Sequence, residues 1–336
     1  MLRQGTFVSY KELMYYPKFL KKNDTIGICA PSAGVGRGLD FYEKSVARLI
    51  EEGFKINETF SVRVNNLRSN NAENRAQEFN NLIKDNNTDM VICAAGGDFL
   101  CEIMPLIDWE AIKDNPKWIQ GASDPTNILY PITTKFDIAT MYGLNANEYH
   151  VIHQNTDDSI NLIQGNMVIQ HSYNKYQLVD YDAKEILYTE DVIWKSKRDF
   201  YHRGRLIGGC IDVIKDLMGT PYDGTKEFIE RYKDDGIIWY IDNYALSAES
   251  LYRTLLQMKY AGYFKHTKAI IIGRVCFESS ETGMTYQECY EKALENIDYV
   301  YDADIGHTNP KMTLINGAII NIEVKDKKGV ISFELK

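Results

Sequence analysis

The sequence predicts an α/β protein in which a parallel sheet carries helices on its faces. Two observations carry that expectation. Through the first half of the chain, short apolar runs alternate with stretches whose apolar residues recur at helical spacing, the rhythm of strands joined by crossover helices. Each apolar run then stops at a cluster of turn residues: Pro31-Ser32, Gly96-Gly97 and Gly121 to Asp124. Such clusters mark the carboxyl ends of strands, where open α/β sheets build their sites. The totals fit: 336 residues, 44% hydrophobic and 25% charged, describe a soluble globular chain of one large or two ordinary domains.

Taken in order, residues 1–22 read as a tyrosine-bearing appendage. Asp24 to Ala30 is a buried strand ended by Pro31-Ser32. Asp40 to Glu52 is a helix with Phe41, Val46, Leu49 and Ile50 on its apolar face, stopped by Gly53. Phe54 opens another extended piece. Asn71 to Lys84 is a helix with Ala76, Phe79, Leu82 and Ile83 inward. Asp89 to Ala95 is a buried strand running into Gly96-Gly97-Asp98, and a further helix leads to the strand Trp118 to Gln120. From 150 to 200 the pattern loosens, with partial alternation from Tyr173 to Tyr181 and a short apolar piece at Asp191 to Trp194, and reads as a linker into a second domain. There the expected elements are a strand at Leu206 to Cys210 and a helix ending at Gly219. A strand from Gly236 to Asp242 follows, then a Ser247-capped helix to Met258. A strand at Ala269 to Val275, a helix from Tyr286 to Glu295, and closing strands at Met312 to Ile322 and Gly329 to Leu335 complete it.

Several function classes are disfavoured at this level. A net charge of −9 argues against a nucleic-acid partner or an anionic membrane surface. No apolar run is long enough to span a bilayer, and the first residues lack a basic-then-apolar export signal, so a cytoplasmic location is expected. The six cysteines form no C-x-x-C pair and read as reduced thiols. None of the six histidines has the i, i+4 partner of a helical metal site, so neither metal nor other cofactor is expected. Gly34-Val35-Gly36 lacks the third glycine of a dinucleotide fingerprint, which disfavours a nucleotide-dependent oxidoreductase.

The candidate chemistry centres on Gly121-Ala122-Ser123-Asp124-Pro125. A serine on a tight strand-to-helix turn presents its hydroxyl above the sheet beside free backbone N–H groups, as in a nucleophile elbow, although the G-x-S-x-G pattern is absent. The competing reading makes Ser123 or Asp124 the cap of the following helix, with Pro125 in its first turn. A serine hydrolase also needs a base, an acid that orients the base, and backbone donors for the oxyanion. His307 in a glycine-flanked loop, Asp242 at a strand end and the bare backbone of Gly96-Gly97 supply candidates.

Read together, these motifs resemble the LD-carboxypeptidase family of serine peptidases, which holds muramoyl-tetrapeptide carboxypeptidases and microcin C immunity proteins. The resemblance runs from residue 17 to the C-terminus through Lys22 to Ile26 with Ala30-Pro31-Ser32, Asn74-Arg75-Ala76, and Ala95 to Asp98 with Leu106-Ile107-Asp108. It continues through Gly121 to Asp124, Leu206 to Cys210 with Met218 to Tyr222, and Asp304 to Pro310. It implies an N-terminal α/β domain, set here at 1–165 and carrying the nucleophile, and a smaller β-rich C-terminal domain, 166–336, carrying acid and histidine. It implies Ser123 as nucleophile, His307 as base and then acid, and backbone N–H groups at Gly97 and Asp124 as the oxyanion hole. Where the family has a glutamate, this chain has Asp242, one methylene shorter; Glu249 is the nearest alternative acid. Tyr188 to Phe200, with Trp194, and Met312 to Gly317 look closer to the microcin immunity branch, which makes Trp194 a candidate to stack on a nucleobase. The implied activity is cleavage of an amide bond in a small peptide or aminoacyl-nucleotide conjugate by a homodimer. The alternative is a weak or inactive member that only binds such a ligand.

Overall fold

The computed structural model describes residues 14–178 and 186–336, organised by two sheets. The first has six strands in the spatial order Leu314–Asn316, Thr140–Tyr142, Trp118–Gly121, Met90–Cys93, Thr25–Cys29, Lys55–Glu58. Its five N-terminal strands are all parallel. The strands Met90–Cys93 and Trp118–Gly121 are buried throughout, as strands covered by helices on both faces must be. The edge strand Lys55–Glu58 alternates exposed and half-buried positions instead. Strand order reverses between Thr25–Cys29 and Met90–Cys93, which opens a crevice above their carboxyl ends.

The second sheet has eight strands: Gln170–His171, Lys328–Glu334, Ile319–Lys325, Phe200–Cys210, Ile237–Asp242, Thr267–Gly273, Asp298–Ala303 and Lys195–Ser196. The four from Phe200–Cys210 to Asp298–Ala303 are parallel, and antiparallel strands flank them on both sides. The fold is therefore mixed α/β, with a parallel-sheet N-terminal portion and a β-rich C-terminal portion whose centre is also parallel. No helix among the described residues is long and apolar enough to cross a membrane.

Most expected elements stand within a residue or two of their expected bounds. Helix Ala72–Lys84 is capped by the Asn71 side chain, and helix Ala248–Ala261 by Ser247. Four expectations need correction. Residues 14–22 are not an appendage: Met14 and Leu20 are buried, and the Tyr16 hydroxyl donates to the carbonyls of Gly317 and Lys336; residues 1–13 lie outside the described residues, as does Tyr181. In helix Leu39–Glu51 the buried face is Tyr42, Ser45 and Leu49, while Phe41 and Ile50 face outward. The loose region contains a helix, Gln154–Ile163, capped by His153. The expected closing strand at 312–322 is two strands: Leu314–Asn316 completes the first sheet and Ile319–Lys325 joins the second.

Candidate active site

The Trp118–Gly121 strand ends in a turn whose residues are fixed one by one. The Ala122 N–H donates to Asn145 Oδ1 at 3.0 Å. Ser123 follows at φ +68°, in the left-handed region that a residue with a Cβ rarely adopts. Such a conformation costs about 1–3 kcal/mol and persists only where its surroundings enforce it. Helix Thr126–Phe136 starts without any side-chain cap; the Thr126 N–H donates to the backbone carbonyl of Ser123 at 2.9 Å. Neither Ser123 nor Asp124 is thus a helix cap. The Asp124 carboxylate instead accepts from the Ser32 hydroxyl, from the Leu100 N–H at 2.9 Å and from Asn127 Nδ2 at 2.8 Å. It ties the ends of three strands together. Burial raises its pKa, and these donors pull the other way.

Asp242 ends the Ile237–Asp242 strand with its side chain fully buried. His307 Nδ1 lies 3.0 Å from both of its oxygens. The shorter acid reaches because the preceding loop residue is Gly306, at φ +97°; a Cβ there would overlap the Asp242 carboxylate. Burial works to raise the Asp242 pKa. The charge of His307, hydrogen bonds from His307 and Tyr142, and the charge of Lys311 outweigh it and hold the group below its ordinary range. Asp242 is accordingly an ionised acceptor beside the imidazole.

Ser123, Asp124, Gly96, Gly97 and His307 line one cavity of about 800 Å³ between the two sheets. Gly96 sits so close to the serine that a Cβ on it would come within 3.2 Å of Ser123 Oγ. Tyr244 packs on the His307 ring, centroids 4.5 Å apart, and also lines the cavity.

Two sequence-level candidates fall elsewhere. Trp194 is fully buried, donates from Nε1 to Asp304 Oδ2 at 3.0 Å, and packs against Gly329. It is not among the cavity-lining residues, and a ring so enclosed offers no face to a base. Its partner Asp304 also pairs with Arg274 Nη2 at 2.8 Å, so both serve to fix the loop that carries His307. Burial raises the Asp304 pKa against the pull of Arg274. Glu249 Oε1 holds Ser280 and Thr282, away from the imidazole's partner.

Sequence reading missed Tyr142. Its strand, Thr140–Tyr142, is three residues long and shows no periodicity, yet its hydroxyl meets both Asp242 and the Ser123 N–H. It also missed Lys311, whose ammonium pairs with Glu148 at 2.5 Å at the cavity wall.

Comparison with known proteins agrees with this architecture. Residues 26–143 match the LD-carboxypeptidase N-terminal domain and residues 203–322 the LD-carboxypeptidase C-terminal domain. The chain is 26% identical over 315 residues to a protein of Vibrio cholerae named as a carboxypeptidase, covering 89% of this chain and 92% of that one. It is 26% identical over 329 residues to the microcin C7 self-immunity protein of Escherichia coli, covering 92% and 93%. The fold superposes on the microcin C7 self-immunity protein in complex with aspartyl sulfamoyl adenosine with a TM-score of 0.79 at 24% identity, covering 95% and 98% of the two chains. On muramoyltetrapeptide carboxypeptidase from Oxalobacter formigenes the TM-score is 0.73 at 17% identity, covering 92% and 98%.

Proposed function

From the premise that the chain belongs to the LD-carboxypeptidase family, we propose that it is a serine amidase or peptidase working through Ser123, His307 and Asp242. The observation that carries this reading is a single cavity. It is faced by a hydroxyl on a strained turn and by an imidazole whose Nδ1 is held by a buried, ionised carboxylate. With Nδ1–H directed at Asp242, Nε2 is left as the base. It takes the Ser123 proton as Oγ attacks the scissile carbonyl, then gives that proton to the departing amine. Water, activated by the same nitrogen, releases the acyl group and restores the hydroxyl.

The oxyanion would be met by the N–H groups of Asp124 and Gly97, both at the cavity wall. The substrate class is a small peptide or an aminoacyl conjugate of a nucleotide. The second member of that pair is favoured by the relative whose structure holds an aminoacyl sulfamoyl nucleoside. The reading takes the working form as a cytoplasmic homodimer, which sedimentation equilibrium tests directly.

The deciding experiment is a turnover screen of an aminoacyl sulfamoyl nucleoside and a murein tetrapeptide against wild type and Ser123→Ala. We expect the substitution to reduce kcat at least about 10³-fold while leaving the unfolding transition in place. Full activity in the Ser123→Ala protein would remove the nucleophile and with it the proposal.

A further inference from the structure

Tyr142 is fully buried at the end of the first sheet's Thr140–Tyr142 strand, with its ring against Tyr240 at 5.4 Å between centroids. Its Oη lies 2.5 Å from Asp242 Oδ2 and 3.1 Å from the backbone nitrogen of Ser123. The direction of both hydrogen bonds is forced. Asp242 is ionised and only accepts, and the Ser123 N–H only donates. The phenol must therefore give its one proton to Asp242 and take the Ser123 N–H on a lone pair. Burial and the nearby Asp242 charge keep that phenol protonated, well above its usual range.

We propose that Tyr142 is the positioning residue of the site: a single hydroxyl that sets the Asp242 carboxylate, and through it the imidazole, in register with the nucleophile turn. The inference rests on the triad reading above. It joins two parts of the chain, since Ser123 rises from the first sheet while Asp242 ends a strand of the second. It also removes one candidate from the oxyanion hole. The Ser123 N–H is spent on Tyr142, which leaves the donors to Asp124 and Gly97.

A loss of this hydroxyl acts on a carboxylate faced also by His307, Lys311, Tyr240 and Cys210. Of these, His307 is the hydrogen-bonding partner. With one donor fewer, the carboxylate leans harder on the imidazolium, and the acid limb of the pH–rate profile moves to higher pH. A stronger donor at the same position moves it the other way.

The test uses Tyr142→Phe and a second variant carrying 3,5-difluorotyrosine at 142, which keeps ring and hydroxyl and donates more strongly. Two readouts are needed. One is the pH profile of Ser123 labelling by a fluorophosphonate; the other is the low-field proton resonance of the His307 Nδ1–H. In Tyr142→Phe we expect labelling about 10- to 100-fold slower at its optimum. Its acid limb should move upward by about half a pH unit, an amount set by one weakened charge-assisted contact. The fluorinated protein should move the limb downward, and both variants should displace the low-field proton. A residue that merely filled space would lower the folded fraction and leave the limb and resonance alone. Variants that fold as wild type by circular dichroism but keep the wild-type limb and resonance overturn the inference. Wild type that resists labelling at Ser123, with a low-field proton that still responds to both variants, sinks the nucleophile reading and upholds Tyr142.

Discussion

The serine turn and the histidine loop face the same cavity but are held by different means. Ser123 is placed by backbone: a positive φ, a buried strand behind it, and N–H groups at 122 and 123 each given a side-chain acceptor. His307 is placed by charge. Asp242 fixes its ring, and the buried Arg274–Asp304 pair, with Trp194 and the Arg274–Thr308 contact at 2.9 Å, fixes the loop on which it stands. The contrast teaches that single side-chain changes should disturb the setting of His307 far more than that of Ser123.

The sharpest way to break this comparison is Asp242→Asn. The shape is kept, but the imidazole loses its orienting charge, and we expect kcat to fall by about 10³- to 10⁴-fold with KM little changed. The same variant reports on stability. The folded-state pKa of Asp242 lies below its unfolded value. Its contribution is therefore complete above the ordinary carboxylate pKa of about 3.9 and is lost as pH falls through the lower folded value. Thermal scans from neutral to acid pH should show a steep loss in wild type that is shallower in Asp242→Asn.

Arg274→Met comes next. It leaves Asp304 buried without its cation, at a cost of about 3–5 kcal/mol in urea unfolding, and turnover should drop as the histidine loop loosens. Trp194→Phe removes one donor from the same carboxylate and should cost about 1–3 kcal/mol. Its KM for an aminoacyl nucleotide conjugate should stay within about twofold, because the ring is enclosed and not in the cavity. A tenfold rise in KM there would restore Trp194 to the substrate. The smallest effect is expected in the first half: Asn71→Ala removes a helix cap for about 1 kcal/mol. Activity per folded molecule should be unchanged, since the serine turn does not depend on that helix end.

What the sequence made legible follows from how local each signal is. Gly121 to Pro125 announces a strand-to-helix turn in five residues, and the Ser247 cap announces a helix in one. The left-handed backbone of Ser123 is not local in this sense, because a serine carries no preference for it; the surrounding strands impose it. Tyr142 was invisible because its strand is three residues long and its two partners stand 19 and 100 residues away. Trp194 misled because an aromatic in a loosely patterned stretch looks available for stacking, whereas its burial depends on Gly329 and Asp304. The helix Gln154–Ile163 escaped because its cap is a histidine and its first turn is polar. The split of the last apolar run between two sheets needs a tertiary turn at Gly317 that composition does not disclose.

That split has a mechanical consequence. Seven residues beyond the imidazole, the chain re-enters the first sheet as Leu314–Asn316, and then returns to the second as Ile319–Lys325. The chain thus crosses between the two sheets twice within a dozen residues of the imidazole, and each crossing is anchored by strand pairing. Losing either pairing would free one wall of the cavity to shift against the other, so the shape of the cavity depends on the integrity of both sheets.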